Sequence, residues 1–431
     1  MRLERAIFPV HEVRLSSTTR WDAGLLEVDA VALEELLRQD PVVAGVRLGI
    51  ARPGASQRII HVLDTLEPRC KVEGPGTAFP GLLGPPETVG RGRTHVLAGM
   101  AVMTAAELPW PPGGGLRAPR EGIIDMSGPA ARLSPFAATW NLVLGLDLAP
   151  DRDDTEYDEA VRRAGLRAAH YLAACTRGLD APQVVAHELG PCPPDLPRVV
   201  YIDQVQSQGT FGHTLLYGRD MDNLVPTLIH PNELLDGAVV SSNYLYSSFK
   251  TPTYLRCNLP AAELLRAGHG RDHNFLGVLL SRGHYYTYEE KMRVAQYAAK
   301  LAGLLDADGA LLTWEGGGNS AVEAMLTIQA LEQAGIPTVA VAYELGGAEG
   351  RDAPLIQSVP EARGLVSTGS YEKPIRLPAV QEVLGGDTLR LHPELGGQRV
   401  PAADAIELQP MHELYCVANQ TGFGRLQAVD F

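Results

Sequence analysis

The chain has 431 residues, enough for two or three domains, and its 45% hydrophobic and 20% charged residues are typical of a globular protein rather than a disordered one. Its net charge of −14 argues against nucleic acid or an anionic membrane surface as a partner, because phosphate groups would be repelled. The first residues lack the apolar core of a signal peptide, and no run of about 18 apolar residues occurs. We therefore expect a cytoplasmic protein without a membrane span.

The cysteines show no disulfide framework and no zinc-binding pattern. The five cysteines are Cys70, Cys175, Cys192, Cys257 and Cys416. They are odd in number, scattered and never in Cys-x-x-Cys spacing, which favours a reducing compartment. The 12 histidines are also dispersed, with no His-Glu-x-x-His pattern, so we predict no metal site.

The first third of the chain is predicted to be rich in strands. Over residues 1–150, short apolar runs alternate with Gly- and Pro-rich turn signals, which indicates a β-rich N-terminal domain. The acidic run at 151–159 then opens a helix, since negative charge at a helix start suits the helix dipole. Residues 151–196 are therefore predicted to be a helical connector.

From residue 197 the pattern changes to apolar strands that alternate with helices. Helices are predicted at about 288–304 and 320–334, each preceded by a short apolar run. This alternation is typical of a parallel sheet covered by helices on both faces. The predicted fold class is thus α/β, with this sheet domain in the C-terminal half (197–431) after the β-rich N-terminal domain.

Loops after the predicted strands are the expected ligand site, because open parallel sheets bind ligands beyond the carboxyl ends of their strands. Ser320 and Glu323 have capping-box spacing, so the glycines before them should lead into a helix N-terminus whose N–H groups hold a carboxylate or phosphate. A tight turn without a ligand is the alternative. The predicted substrate-binding residues are Gln206, Gln208, Gly209, Gly316, Gly317, Gly318 and Asn319.

Two acidic residues at strand ends, Glu315 and Glu344, are candidate catalytic residues. Together they could hold an ammonium group or do acid–base work if burial raised one pKa. The alternative is that both are solvated loop residues. His213 and His230 are interpreted as structural histidines, and Asp125 as the cap of a turn.

Many separate motifs, in one order along almost the whole chain, carry a resemblance to a known family. They lie at 58–62, 67–76, 79–81, 88–97, 121–129, 206–209, 231–233, 236–241, 315–319 and 421–426. With these motifs the chain resembles the α/β proprotein of component B of glycine/sarcosine/betaine reductase, and D-proline reductase is a more distant relative.

The resemblance implies a substrate-binding subunit that works beside a γ subunit with a reactive cysteine or selenocysteine. In the family, the residue after an asparagine is a cysteine at which the chain is cleaved, and this cysteine becomes a pyruvoyl group that captures amines. Here Asn243 is followed by Tyr244, and Ser248 stands where relatives carry a second cysteine. A tyrosine cannot become a pyruvoyl group by β-elimination, so no cofactor is predicted and Tyr244 becomes a candidate catalytic residue.

Three hypotheses follow from this departure. In the first, the uncleaved chain binds a γ-type subunit, assembles as an oligomer and supports reductive or thiol-mediated cleavage of a C–N or related bond, with Tyr244 lining the pocket. In the second, it is a non-catalytic scaffold or a small-ligand-binding protein. In the third, Ser241 or Ser242 supplies a pyruvoyl group after cleavage of a strained bond.

Overall fold

The computed structural model describes residues 1–108, 122–207, 212–243, 247–349, 351–353, 355–391, 398–418, 420–424 and 426. No helix within these ranges is both long and apolar enough to cross a bilayer.

The N-terminal part of the chain is built mainly from strands. Its elements are β1 (Arg2–Pro9), β2 (Glu12–Ser16), β3 (Arg20–Asp22), β4 (Leu25–Asp29), α1 (Ala30–Leu37), β5 (Val43–Ala51), β6 (Gln57–Ile59), β7 (Val62–Leu66), β8 (Arg69–Glu73), β9 (Gly92–Ala98), β10 (Met100–Ala105), β11 (Ile124–Asp125), β12 (Trp140–Leu148), α2 (Asp154–Ala174) and β13 (Gln183–Glu188). Short 3-10 turns occur at Ala130–Arg132 and Pro135–Ala138.

Two four-stranded sheets organise this part, in the orders β13-β1-β9-β8 and β5-β12-β10-β7. The helix α2 packs across them, burying Val161, Ala168 and Leu172 in the same core as Leu142 and Leu144. It begins with a capping box formed by Asp153 and Glu156, so the helix predicted to follow the acidic run is confirmed. The strand β13 falls within the predicted connector and pairs antiparallel with β1.

The remaining elements alternate between strands and helices and then end in short strands. They are β14 (Arg198–Gln206), β15 (Leu215–Leu216), β16 (Arg219–Asp220), β17 (Thr227–Ile229), α3 (Pro231–Leu235), β18 (Val239–Val240), α4 (Thr253–Arg256), α5 (Pro260–Gly268), β19 (Asn274–Gly283), α6 (Tyr288–Leu304), β20 (Gly309–Trp314), α7 (Asn319–Gln333), β21 (Thr338–Ala342), β22 (Gly364–Ser367), β23 (Ile375–Leu377), β24 (Glu382–Leu384), β25 (Thr388–Arg390), β26 (Arg399–Pro401) and β27 (Ile406–Leu408).

A six-stranded sheet in the order β17-β19-β14-β20-β21-β22 confirms the predicted C-terminal parallel sheet. Every neighbouring pair in it is parallel except β17 with β19. The predicted helices at 288–304 and 320–334 are α6 and α7, which contact each other. Their apolar residues share a core with the sheet, in which Ile202, Leu312 and Met325 are fully buried.

The last part of the chain returns to the N-terminal sheets. The strand β24 pairs in parallel with β6, which also pairs with β11. At this junction Asp125, interpreted from sequence as a turn cap, instead accepts two hydrogen bonds from the buried guanidinium of Arg58, at 2.6 and 3.0 Å. Arg58 also donates to the carbonyl of Ala402, so the ion pair joins distant segments, which a local turn signal could not reveal.

Candidate functional site

A small cavity lies beyond the carboxyl ends of the adjacent strands β14 and β20. Gln206 is the last residue of β14, and Glu315 directly follows β20, so the parallel pairing of the strands places both side chains at one edge of the sheet. The opposite wall comes from residues 241–242 and 249–251, which lie between β18 and α4. The cavity is lined by Gln206, Thr214, Ser241, Ser242, Phe249, Lys250, Thr251 and Glu315.

A buried ion-pair network holds Glu315 in place. Its carboxylate lies 2.6 Å from Nη2 of Arg256 and accepts the backbone N–H of Gln206 at 2.8 Å. The other arm of the guanidinium donates to Asp203 at 2.5 Å. Glu315 is therefore a buried carboxylate with fixed partners, and not a solvated loop residue.

Burial and charge act in opposite directions on this network. Burial alone would lower the pKa of Arg256, but the carboxylates of Asp203 and Glu315 raise it above its ordinary value, so the guanidinium stays charged. Burial raises the pKa of Asp203; Arg256 opposes this rise, and Glu315 adds to it. Asp203 interrupts the apolar run of β14, and that charge inside a buried strand was the signal that sequence reasoning missed.

Lys250 is the second charged residue of the cavity, and sequence reasoning also missed it. Its side chain is only 2% exposed, and Nζ lies 3.4 Å from Oδ1 of Asp64. Asp64 meanwhile accepts hydrogen bonds from the N–H and hydroxyl of Thr253, at 3.0 and 2.6 Å. Burial lowers the pKa of Lys250, while Asp64 and Glu315 oppose that change. Its only sequence signal was its place a few residues after Tyr244.

Asn243 links the cavity wall to the N-terminal part of the chain. Its side-chain amide is buried and donates to both the backbone oxygen and Oδ1 of Asp158 in α2, at 2.9 and 2.8 Å. Asp158 also accepts a hydrogen bond from Arg162 at 2.5 Å. Asn243, the residue before position 244, is thus held in place by Asp158, which is itself paired with Arg162 on α2.

The glycine loop after Glu315 leads into α7, as predicted. Gly316 and Gly318 have φ of +82° and +62°, which only glycine adopts readily. A Cβ on Gly317 would lie 2.2 Å from the hydroxyl oxygen of Tyr343. The backbone N–H of Gly316 donates to the side chain of Gln420 at 2.8 Å.

The predicted capping box at Ser320 and Glu323 is wrong. Gly318 is the N-cap of α7 and supplies no side chain, while the Ser320 hydroxyl donates to the oxygen of Gly317 at 3.3 Å. Glu323 instead accepts the N–H groups of His284 and Tyr285, both at 2.5 Å, and pairs with Lys291 at 2.9 Å. The N–H groups that follow β19 bind the Glu323 carboxylate in place of the helix N-terminus. Only the tertiary packing brings the end of β19 close to Glu323.

The other predicted residues have separate surroundings. Asn319 donates to the backbone oxygen of Tyr285 at 3.2 Å. Glu344 accepts a hydrogen bond from the hydroxyl of Ser367, the last residue of β22. Burial lowers the pKa of His284 to about 4, and this neutral imidazole lies 3.1 Å from the side-chain nitrogen of Gln206.

The two histidines interpreted as structural have polar partners. His230 caps the short helix α3 through its side chain. His213 lies 2.6 Å from Asp220 and 3.4 Å from Asp222, and these three form the one candidate metal-binding group among the described residues. A hydrogen bond with Asp222 and the charge of both carboxylates raise the pKa of His213, so an ion pair accounts for the cluster.

Comparison with known proteins identifies the family. A family model described as glycine/sarcosine/betaine reductase component B subunits matches residues 1–429. The chain belongs to this family. It is 34% identical over 438 residues to the "Glycine reductase complex component B subunits alpha and beta" of Peptoclostridium acidaminophilum, with 99% of each chain covered. No solved structure gives a significant match.

Two further component B relatives from the same organism bear on specificity. The chain is 35% identical to "Sarcosine reductase complex component B subunit alpha", with 89% of each chain covered. It is 34% identical to "Betaine reductase complex component B subunit alpha", covering 89% of this chain and 88% of the relative. Since relatives from three differently named complexes match almost equally well, overall identity does not discriminate between their substrates.

Three of the predicted residues of this component B protein lie outside the described residues: Gln208, Gly209 and Tyr244. Their predicted roles therefore stay predictions. Asn243, Gln206 and Glu315 are all described, and the structure places Gln206 and Glu315 together at the cavity.

Proposed function

We propose that the chain is the substrate-binding subunit of a cytoplasmic, oligomeric reductase complex related to the glycine, sarcosine and betaine reductases. In this complex it binds a small amine or amino-acid derivative, and a γ-type subunit with a reactive cysteine or selenocysteine cleaves a C–N or related bond. The observation that carries the proposal is the cavity between the strand ends and the segment that begins at Ser241, next to the family cleavage position.

The charges in the cavity support a zwitterionic ligand. Glu315 supplies a carboxylate that Arg256 and Gln206 hold in one orientation, and Lys250 supplies an amine on the facing wall. Opposite charges on two walls complement an amino acid, whose own ammonium and carboxylate groups carry opposite charges. The glycines 316–318, Asn319 and Glu344 are proposed to act on the ligand from the neighbouring loops.

The same site is proposed to work without a Cys-derived pyruvoyl group. Pyruvoyl formation requires a heteroatom on Cβ that leaves by β-elimination, and the Cβ of Tyr244 carries an aromatic ring instead. Tyr244 is proposed to line the cavity and to donate a hydrogen bond to the ligand.

A non-catalytic ligand-binding role is the second candidate. It is favoured by the bonds that Glu315 already makes, because a carboxylate fully engaged by Arg256 and Gln206 is a poor general base. A serine-derived pyruvoyl group is the third, since Ser241 and Ser242 are buried at the cavity wall.

Reconstitution with a γ-type subunit of a glycine, sarcosine or betaine reductase distinguishes the first two candidates. We expect co-elution of the two proteins and release of amine from at least one of these three substrates when a dithiol reductant is present. Tyr244→Phe combined with Glu315→Gln should abolish that release. Unchanged release by the double variant would favour the scaffold, and failure of the proteins to associate would contradict the proposed complex.

A further inference from the structure

Lys250 differs from the other buried lysines of this protein. The chain has five lysines, of which Lys71, Lys250 and Lys291 are buried. Lys71 donates a hydrogen bond to Asp236, and Lys291 donates to Glu323 at 2.9 Å. Nζ of Lys250 has no comparably short bond among the described residues: its ion-pair distance to Oδ1 of Asp64 is 3.4 Å. An amine without such a bond, facing a cavity, is available to a ligand.

The surroundings of Lys250 explain why its ammonium is held only weakly. Asp64 already accepts two hydrogen bonds from Thr253, which orient its carboxylate toward α4. Glu315, the other carboxylate at the cavity, is bound by Arg256 and Gln206. Both carboxylates counteract the effect of burial on the amine, but burial is the larger influence and lowers the pKa of Lys250. A larger fraction of the amine is therefore neutral and nucleophilic at neutral pH than for a solvated lysine.

We propose that Lys250 is a covalent ligand-binding residue that captures a small aldehyde or ketone as an imine. The Nζ lone pair forms a bond to the carbonyl carbon, and a proton moves from nitrogen to the former carbonyl oxygen. The resulting hydroxyl group leaves as water with a second proton, and a C=N bond remains. One carbonyl compound and one amine give one imine and one water, with no oxidation or reduction.

The cavity provides polar groups for these proton transfers. Asp64 is the nearest base to Nζ, and the side chains of Ser241, Ser242 and Thr251 line the same wall. Protonation of the imine nitrogen makes the carbon of the C=N bond electron-poor, which is how lysine Schiff bases act in covalent catalysis. The inference rests on the proposed function only in placing a ligand in this cavity, and its test requires no partner subunit.

Reductive trapping tests the proposal on the purified full chain. The protein is incubated near neutral pH with sodium cyanoborohydride and either glyoxylate or acetaldehyde at low concentration, and the modified lysines are located by peptide mass spectrometry. We expect faster labelling of Lys250 than of the exposed Lys300, because burial lowers the pKa of Lys250 and so leaves a larger neutral fraction of its amine. Faster labelling by glyoxylate assigns the site to 2-oxo acids, and faster labelling by acetaldehyde assigns it to neutral carbonyl compounds.

The buried lysines 71 and 291 serve as controls within the same molecule and should stay unlabelled. Lys250→Arg keeps a positive charge near Asp64 but cannot form an imine, so it should lose the label while keeping a cooperative thermal transition. Labelling of Lys300 as fast as that of Lys250, or no label on Lys250 in the folded chain, would overturn the proposal. If Lys250 is labelled but the chain does not associate with a γ-type subunit, the proposed complex is contradicted and the imine proposal is not. Failure of one proposal is therefore distinguishable from failure of the other.

Discussion

The guanidinium of Arg256 lies 2.6 Å from the carboxylate of Glu315, and both side chains are buried. Arg256 ends the helix α4, and Glu315 directly follows the strand β20. The pair therefore connects α4, which follows the cavity-lining residues 249–251, to the edge of the parallel sheet. Because Arg256 also pairs with Asp203, it bridges two buried acids.

Replacing Arg256 by Met should destabilise the protein strongly. The change leaves the carboxylates of Asp203 and Glu315 buried without their cation, and breaking such a pair lowers the free energy of unfolding by about 3–5 kcal/mol. Urea unfolding followed by circular dichroism measures the effect. The control is Arg198→Met, which removes an exposed pair with Asp308 and should have little effect. Equal losses in the two variants would contradict the structural role of Arg256.

Gly317→Ala should disturb the start of α7. The added Cβ would lie 2.2 Å from the hydroxyl of Tyr343, and relieving such an overlap typically costs about 1–3 kcal/mol. Gly303→Ala in α6 is the matched control, since its Cβ would have no atom within 4 Å and alanine favours helix. Tyr343→Phe added to Gly317→Ala should recover part of the lost stability, as judged by thermal unfolding. A Gly317→Ala protein as stable as the parent would show that this contact is absent.

The stability of the protein should fall on mild acidification, partly through His284. Burial lowers the pKa of this histidine to about 4, and the charges of Lys291 and Arg282 act in the same direction. In the unfolded chain an imidazole titrates near pH 6.5, so the unfolded state binds the proton first as the pH falls. The contribution of His284 is thus complete above about pH 6.5 and is lost progressively toward pH 4, with a slope of at most about 1.4 kcal/mol per pH unit.

His284→Asn isolates this effect. His284 has φ of +74°, a conformation that asparagine tolerates better than most residues, so the backbone should be preserved. Unfolding free energies measured by urea titration between pH 4 and 7 should decline less steeply in the variant than in the parent. Identical slopes would mean that His284 takes up no proton on unfolding in this range.

The purified chain should remain a single polypeptide of 46.3 kDa without a reactive carbonyl, because Tyr244 cannot be converted to a pyruvoyl group. Intact-protein mass spectrometry and treatment with a hydrazine measure this directly. Ser241→Ala and Ser242→Ala provide the comparison for serine-derived processing. Two fragments, the second starting near residue 241 and reacting with hydrazine, would instead establish the serine-derived group.

The periodic features of the chain were readable from the sequence because they depend on neighbouring residues. The apolar runs and helical spacing predicted the parallel sheet and the helices Tyr288–Leu304 and Asn319–Gln333, which the structure confirms. The many ordered motifs also indicated the family, which the comparisons confirm.

The site depended on contacts between distant parts of the chain, which local patterns do not encode. Ser320 and Glu323 had the spacing of a capping box, but the folded chain directs Glu323 to the N–H groups of His284 and Tyr285. Lys250 had no distinctive local signal, and its burial beside Asp64 arises only because residues 247–256 contact both β7 and the end of the parallel sheet. The cavity is thus decided by tertiary packing, because burial and charge pairing depend on which segments meet in space.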